Sequence, residues 1–176
     1  MNRRLRLISR IAIFSALVYV LSWGTSYLPN VNPVFFVVFA AGFLWGQLPG
    51  IAVGLVGMGL WTNFHPFGPA LPPIMVAQIT GAAGSGLVGA WFARTDWKSR
   101  AGFRLRLELV ICSVVCTLLF YIPVNVVDAW LFQPFWPRFW VSWTWVPISL
   151  VSNALIFPLL FGAVRILYAR EQGVIR

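Results

Sequence analysis

Side chains able to recognise a small molecule are few in this chain and sit at the ends of apolar runs. Trp61, Asn63 and His65 close one run, Gln78 lies early in the next, Asn125 and Asp128 end another, and Asn153 follows Ser149 and Ser152 in the last. Amides, hydroxyls, an imidazole and indoles support capture by hydrogen bonding and stacking, and not bond making or breaking. The single histidine and the two cysteines, Cys112 and Cys116, make no metal set. Cysteines four apart on one helix do not reach disulfide geometry either, and read as small packing residues. No G-x-x-x-x-G-K-[ST], H-E-x-x-H or G-x-S-x-G stretch occurs, so neither enzyme activity, a cofactor nor intrinsic ATP hydrolysis is expected.

The elements that position these residues follow from composition. Of 176 residues, 60% are hydrophobic and 10% charged, against about 45–50% and about 25% in ordinary soluble domains. The solvent implied is a bilayer. Six apolar runs can be drawn, at about 7–27, 33–48, 51–63, 73–92, 105–127 and 145–168, separated by Pro, Gly and Asn signals such as Pro29-Asn30, Pro49-Gly50 and Pro66-Phe67-Gly68-Pro69. The expectation is an all-α integral membrane protein, one compact domain of six transmembrane helices. A net charge of +9 does not imply nucleic acid, because the basic residues flank apolar runs instead of forming a surface stripe.

Orientation follows from those basic residues, which membrane proteins retain on the cytoplasmic side. With the N-terminus inside, Arg3, Arg4, Arg6, Arg10, Arg94, Lys98, Arg100, Arg104, Arg106, Arg165, Arg170 and Arg176 are cytoplasmic, and Arg138 alone is outside. Both termini are then cytoplasmic. The polar residues above fall at the outer ends of their spans, while the inner halves are nearly all apolar, glycine or alanine. An unpartnered polar group facing hydrocarbon costs several kcal/mol, so these groups must face one another or a wet cavity. The asymmetry implies a pocket open outward and closed inward, since a continuous pore needs polar lining throughout. Each residue also has a plainer role: Asn, Gln and Ser join helices, Asp128 pairs with Arg138, and His65 serves its own loop. Trp140, within the aromatic segment from Trp130 to Trp145, belongs to an interfacial belt or to a lid that stacks on a flat ligand.

Small residues mark packing surfaces. Ala12-x-x-x-Ala16 places two alanines on one face of the first span, and Gly50, Gly54 and Gly57 recur on the third, where close helix approach serves internal packing or a docking partner. The basic N-terminus leading into Ala12-x-x-x-Ala16, the Pro49-Gly50-Ile51-Ala52-Val53-Gly54 entry, the Thr62-to-Pro69 loop and the glycine-rich stretch from Gln78 to Gly89 together resemble the substrate-binding component of energy-coupling-factor transporters. That resemblance implies capture of a vitamin-like micronutrient outside. It also implies a transmembrane coupling protein docking on Ala12 and Ala16, with Gly50 and Gly54 in the same interface, and two partner ATPases that hydrolyse ATP. The setting implied is the inner (plasma) membrane of a prokaryote. Two other classes compete: a scaffold of the cell-wall elongation machinery, of the rod-shape-determining type, and a small secondary carrier. A carrier ordinarily shows internal repeats and a mid-membrane ionisable site, and neither is found.

Overall fold

The computed structural model describes residues 3–175, with side chains described for residues 4–171; the Arg176 charge and the Arg3 side chain lie outside that description. Among the described residues seven α-helices follow one another: α1 Arg3–Thr25, α2 Val34–Trp45, α3 Gln47–Asn63, α4 Pro72–Phe92, α5 Gly102–Leu131, α6 Phe135–Trp143 and α7 Val146–Ile175, with one 3-10 turn at Trp97–Ser99. No strand occurs among the described residues. Among the described residues, four stretches are long and apolar enough to cross a membrane: α1, α4, α5 and the α6–α7 stretch Phe135–Glu171.

The runs expected as second and third spans are shorter helices. α2 has 12 residues and α3 has 17, about 18 and about 25 Å at 1.5 Å per residue, against a hydrocarbon core of about 30 Å. α2 is apolar all round, and buried from Val34 to Phe43, as a helix without a polar face must be. It forms the axis of the bundle, packed by α1, α3, α4, α5 and α7. Phe35, Phe39 and Phe43 run along it and meet Phe92, Phe120, Phe157 and Phe161 at centroid separations of 5.0–6.1 Å.

The turn expected at Pro49-Gly50 lies instead at Gly46, whose φ of +94° only glycine adopts cheaply. Pro49 is the third residue of α3, where a missing N–H costs nothing, since the first intrahelical donor is the Gly50 N–H to Gly46 O at 3.1 Å. Three backbones then converge. A Cβ at Gly42 would stand 2.0 Å from Gly86 O, and one at Gly50 would stand 2.6 Å from Gly42 Cα. Gly54 similarly abuts Ala83, a Cβ there meeting Ala83 Cα at 2.6 Å. Small residues thereby let α2, α3 and α4 approach closely.

The two ends differ chemically. The start of α1, the α4–α5 connection and the end of α7 share one end, where Arg10 pairs with Glu171 and Arg100 with Glu108. The opposite end gathers the α1–α2 and α3–α4 loops, the end of α5, and α6.

Candidate functional site

At the end opposite the basic cluster, a cavity of about 300 Å³ opens between the last turn of α1, the α1–α2 loop, the end of α3, the start of α4 and the middle of α5. Its lining comprises Ser22, Thr25, Ser26, Leu28 to Asn32, Trp61, His65, Gln78, Phe120, Tyr121 and Val124. Small-molecule sites span about 300–1,000 Å³, so a compact ligand fits. No Asp, Glu, Lys or Arg lines it.

The hydrogen bonds already made by these residues determine what each has left to offer. Ser22 donates to Val18 O (2.8 Å), Thr25 to Leu21 O (2.9 Å) and Ser26 to Trp23 O (2.8 Å). Their protons are spent on the helix, so acceptor capacity is what these hydroxyls have left to offer the cavity. Gln78 Oε1 accepts from Thr62 Oγ1 at 2.7 Å, Asn30 Oδ1 from Tyr121 Oη at 2.6 Å, and Asn32 Oδ1 from the Val34 N–H at 3.2 Å. Three amide NH₂ groups are thereby oriented as donors. His65 Nδ1 accepts the Phe67 N–H at 3.1 Å, which places the imidazole proton on Nε2, a fourth donor. Partial burial holds the His65 pKa below its ordinary 6.5, favouring that neutral form.

Aromatic surfaces complete the walls. The His65 ring meets Trp61 at 4.4 Å and 64°. Phe120 faces the cavity and packs on Phe35 of α2 at 5.0 Å, so the polar chamber rests on the phenylalanine core. The α3–α4 loop is pinned by the Ala70 N–H to Thr62 O (3.0 Å) and by Tyr19 Oη to Phe64 O (3.4 Å).

Of the residues singled out from sequence, Trp61, His65 and Gln78 stand together in this lining. Asn63 faces away and donates to Gly59 O at 2.8 Å and to Met75 Sδ at 3.6 Å. Asn125 is buried in α5, one turn beyond Tyr121, with its Nδ2 unpartnered. Asp128 holds Arg138 through two bonds of 2.6 and 3.1 Å at the α5–α6 corner. Trp140 projects outward from the strongly amphipathic α6, 64% exposed, and no α6 residue lines the cavity. Asn153 is buried between α5 and α7, donating to Thr117 Oγ1 and Ser149 Oγ, each at 3.2 Å. Ala12 and Ala16 lie on the exposed face of α1, whereas Gly50 and Gly54 are spent inside the bundle against Gly42, Gly86 and Ala83. Their lack of side chains serves internal approach and presents no surface to a partner.

Ser22, Thr25, Ser26, Asn30, Asn32 and Tyr121 escaped sequence reasoning. The one available signal was the cluster of the first five at the end of the first apolar run and in the loop after it; Tyr121, inside the fifth run, carried none. Compared with protein families, with characterised proteins and with solved structures, the chain matches none of them.

Proposed function

We propose that this chain is the substrate-capture subunit of an energy-coupling-factor-type transporter. It crosses the membrane with both termini inside, binds a small vitamin-like molecule at its outer end, and depends on a transmembrane coupling protein and two ATPases for inward delivery. One observation carries the reading: a charge-free chamber, with the amides of Asn30, Asn32 and Gln78 and the hydroxyls of Ser22, Thr25 and Ser26 among its lining, lies at the end of the bundle opposite the basic cluster. Donors and acceptors in a lining that also holds Trp61, Phe120 and Tyr121 suit a neutral, planar heterocycle bearing both kinds of group. A strongly anionic ligand is disfavoured, since no cation awaits it.

The partner half of the proposal rests on α1. Ala12 and Ala16 are exposed while neighbouring Ser15 and Val18 are buried, so the small-residue face is turned away from the bundle, where a second membrane helix has room to pack closely. The test is mass spectrometry of small molecules released from the purified chain, followed by saturable binding of the compound found. Ala12→Trp and Ala16→Trp should retain that binding and lose cellular uptake. A preparation that carries no such molecule, yet co-purifies with cell-wall synthesis enzymes, would favour the scaffold reading instead.

A further inference from the structure

A second cavity, of about 290 Å³, lies at the basic end between the Trp97–Ser99 turn and α7, lined by Trp97, Lys98, Arg165, Tyr168 and Ala169. Its chemistry is the reverse of the first: two cations and no carboxylate. Lys98 Nζ stands 5.0 Å from the Tyr168 ring and 5.8 Å from the Trp97 ring, so cation–π attraction positions the ammonium instead of leaving it to sweep through solvent. The wall behind it is firm, because Trp97 is buried and meets Tyr168 edge-on at 5.3 Å.

The chain has too few acids to neutralise this pair internally. It contains four Asp and Glu in all. Glu108 is taken by Arg100 and Arg104, Glu171 by Arg10, and Asp128 by Arg138 at the far end. Asp96 forms no ion pair among the described residues, and neither Lys98 nor Arg165 has a carboxylate partner there. Two like charges converging on one cavity repel unless an anion is shared between them.

The surroundings identify the anion's source. Ile166 and Leu167 beside the cavity, and Leu159 and Leu160 two turns deeper on α7, are exposed apolar side chains, so the cavity sits where lipid-facing surface gives way to charge. Trp and Tyr mark that depth in membrane proteins, and basic pockets near the cytoplasmic face receive anionic headgroups. We propose that Lys98 and Arg165 bind the phosphate of an acidic phospholipid, whose acyl chains follow the outer surface of α7. The guanidinium fork matches two phosphate oxygens, while the ammonium supplies a point charge. This site is independent of the outer chamber and of what that chamber holds.

Native mass spectrometry of the full chain in detergent tests it, with phosphatidylglycerol and phosphatidylcholine of identical acyl chains offered in competition. Phosphatidylglycerol should be retained roughly tenfold over phosphatidylcholine. The preference should vanish in the Lys98→Gln/Arg165→Gln double variant. It should survive in Arg94→Gln/Arg106→Gln, which alters exposed charges at the same end outside the cavity. All four side chains are exposed, and an unchanged melting temperature in each variant confirms the fold. Equal retention of the two lipids, a preference that persists without Lys98 and Arg165, or one lost equally in the Arg94/Arg106 variant would overturn the proposal. So would full displacement of the lipid by millimolar inorganic phosphate, which would point to a free anion.

Discussion

The Tyr121 hydroxyl donates a 2.6 Å hydrogen bond to Asn30 Oδ1, joining the middle of α5 to a loop 91 positions away in sequence. Asn30 has a φ of +56°, a left-handed conformation that asparagine tolerates better than most residues. The side chain thus does two things: it supplies the acceptor and it relieves the backbone.

Tyr121→Phe should separate these contributions. It deletes the bond and keeps the ring against Phe120, whose centroid is 5.3 Å away, so stability should fall by about 1 kcal/mol. Asn30→Gly, which also loses the bond but accepts the backbone, should cost a similar amount. Asn30→Ala adds left-handed strain of about 1 kcal/mol and should melt lowest of the three. Thermal unfolding in detergent ranks them; equal melting of the alanine and glycine variants would remove the backbone argument.

His65 confers a pH dependence on the α3–α4 loop. The neutral ring accepts the Phe67 N–H at Nδ1, and protonation converts that acceptor to a donor. Because burial lowers the folded-state pKa below 6.5, the unfolded loop binds the proton more readily. The stabilisation is therefore complete above 6.5 and is lost as pH falls through the lower folded value. Hydrogen exchange of the Trp61–Ala70 stretch, corrected for the intrinsic rate, should show protection declining as pH falls below 6.5. His65→Asn, which offers an acceptor that does not titrate, should give a flat profile; a decline equal to wild type would assign the effect elsewhere.

Asn153 tests helix joining against ligand contact. It is buried between α5 and α7, with its amide shared by Thr117 and Ser149. Asn153→Ala should lower stability by about 0.6–1.7 kcal/mol and leave affinity for any molecule bound in the chamber within roughly twofold. Gln78→Ala should do the reverse, because Gln78 lines the cavity and only its oxygen is committed to Thr62, with affinity weakened by about 1–3 kcal/mol. Isothermal titration alongside thermal unfolding distinguishes the two, and a large affinity loss in Asn153→Ala would mean that the ligand reaches the α5–α7 seam.

Helix content and the longest apolar stretches were legible because burial in lipid demands uninterrupted apolar runs; α4 begins at Pro72, close to the expected 73, since proline suits a first helical turn. The break at Gly46 was not. Gly46, Pro49 and Gly50 crowd into five residues, and either glycine is able to turn the chain; only the convergence of Gly42, Gly50 and Gly86 across three helices decides between them. α6 was hidden for a related reason. Pro134 and Pro137 read as loop signals, yet Pro137 falls at the third helical position, where it is harmless. For the chamber, Trp61, His65 and Gln78 stood out by rarity, whereas Ser22, Thr25 and Ser26 looked like ordinary hydroxyls bonded to their own helix. They are that as well, and which way their oxygens face depends on the packing of α1 against α3, which no local pattern encodes.

The wholly buried α2 has a last consequence. With Phe35, Phe39 and Phe43 filling the axis, the molecule is a cup with a solid floor and not a tube. A solute bound beside Trp61 would meet no throat to descend, and unless the helices rearranged it would depart over the same rim by which it arrived.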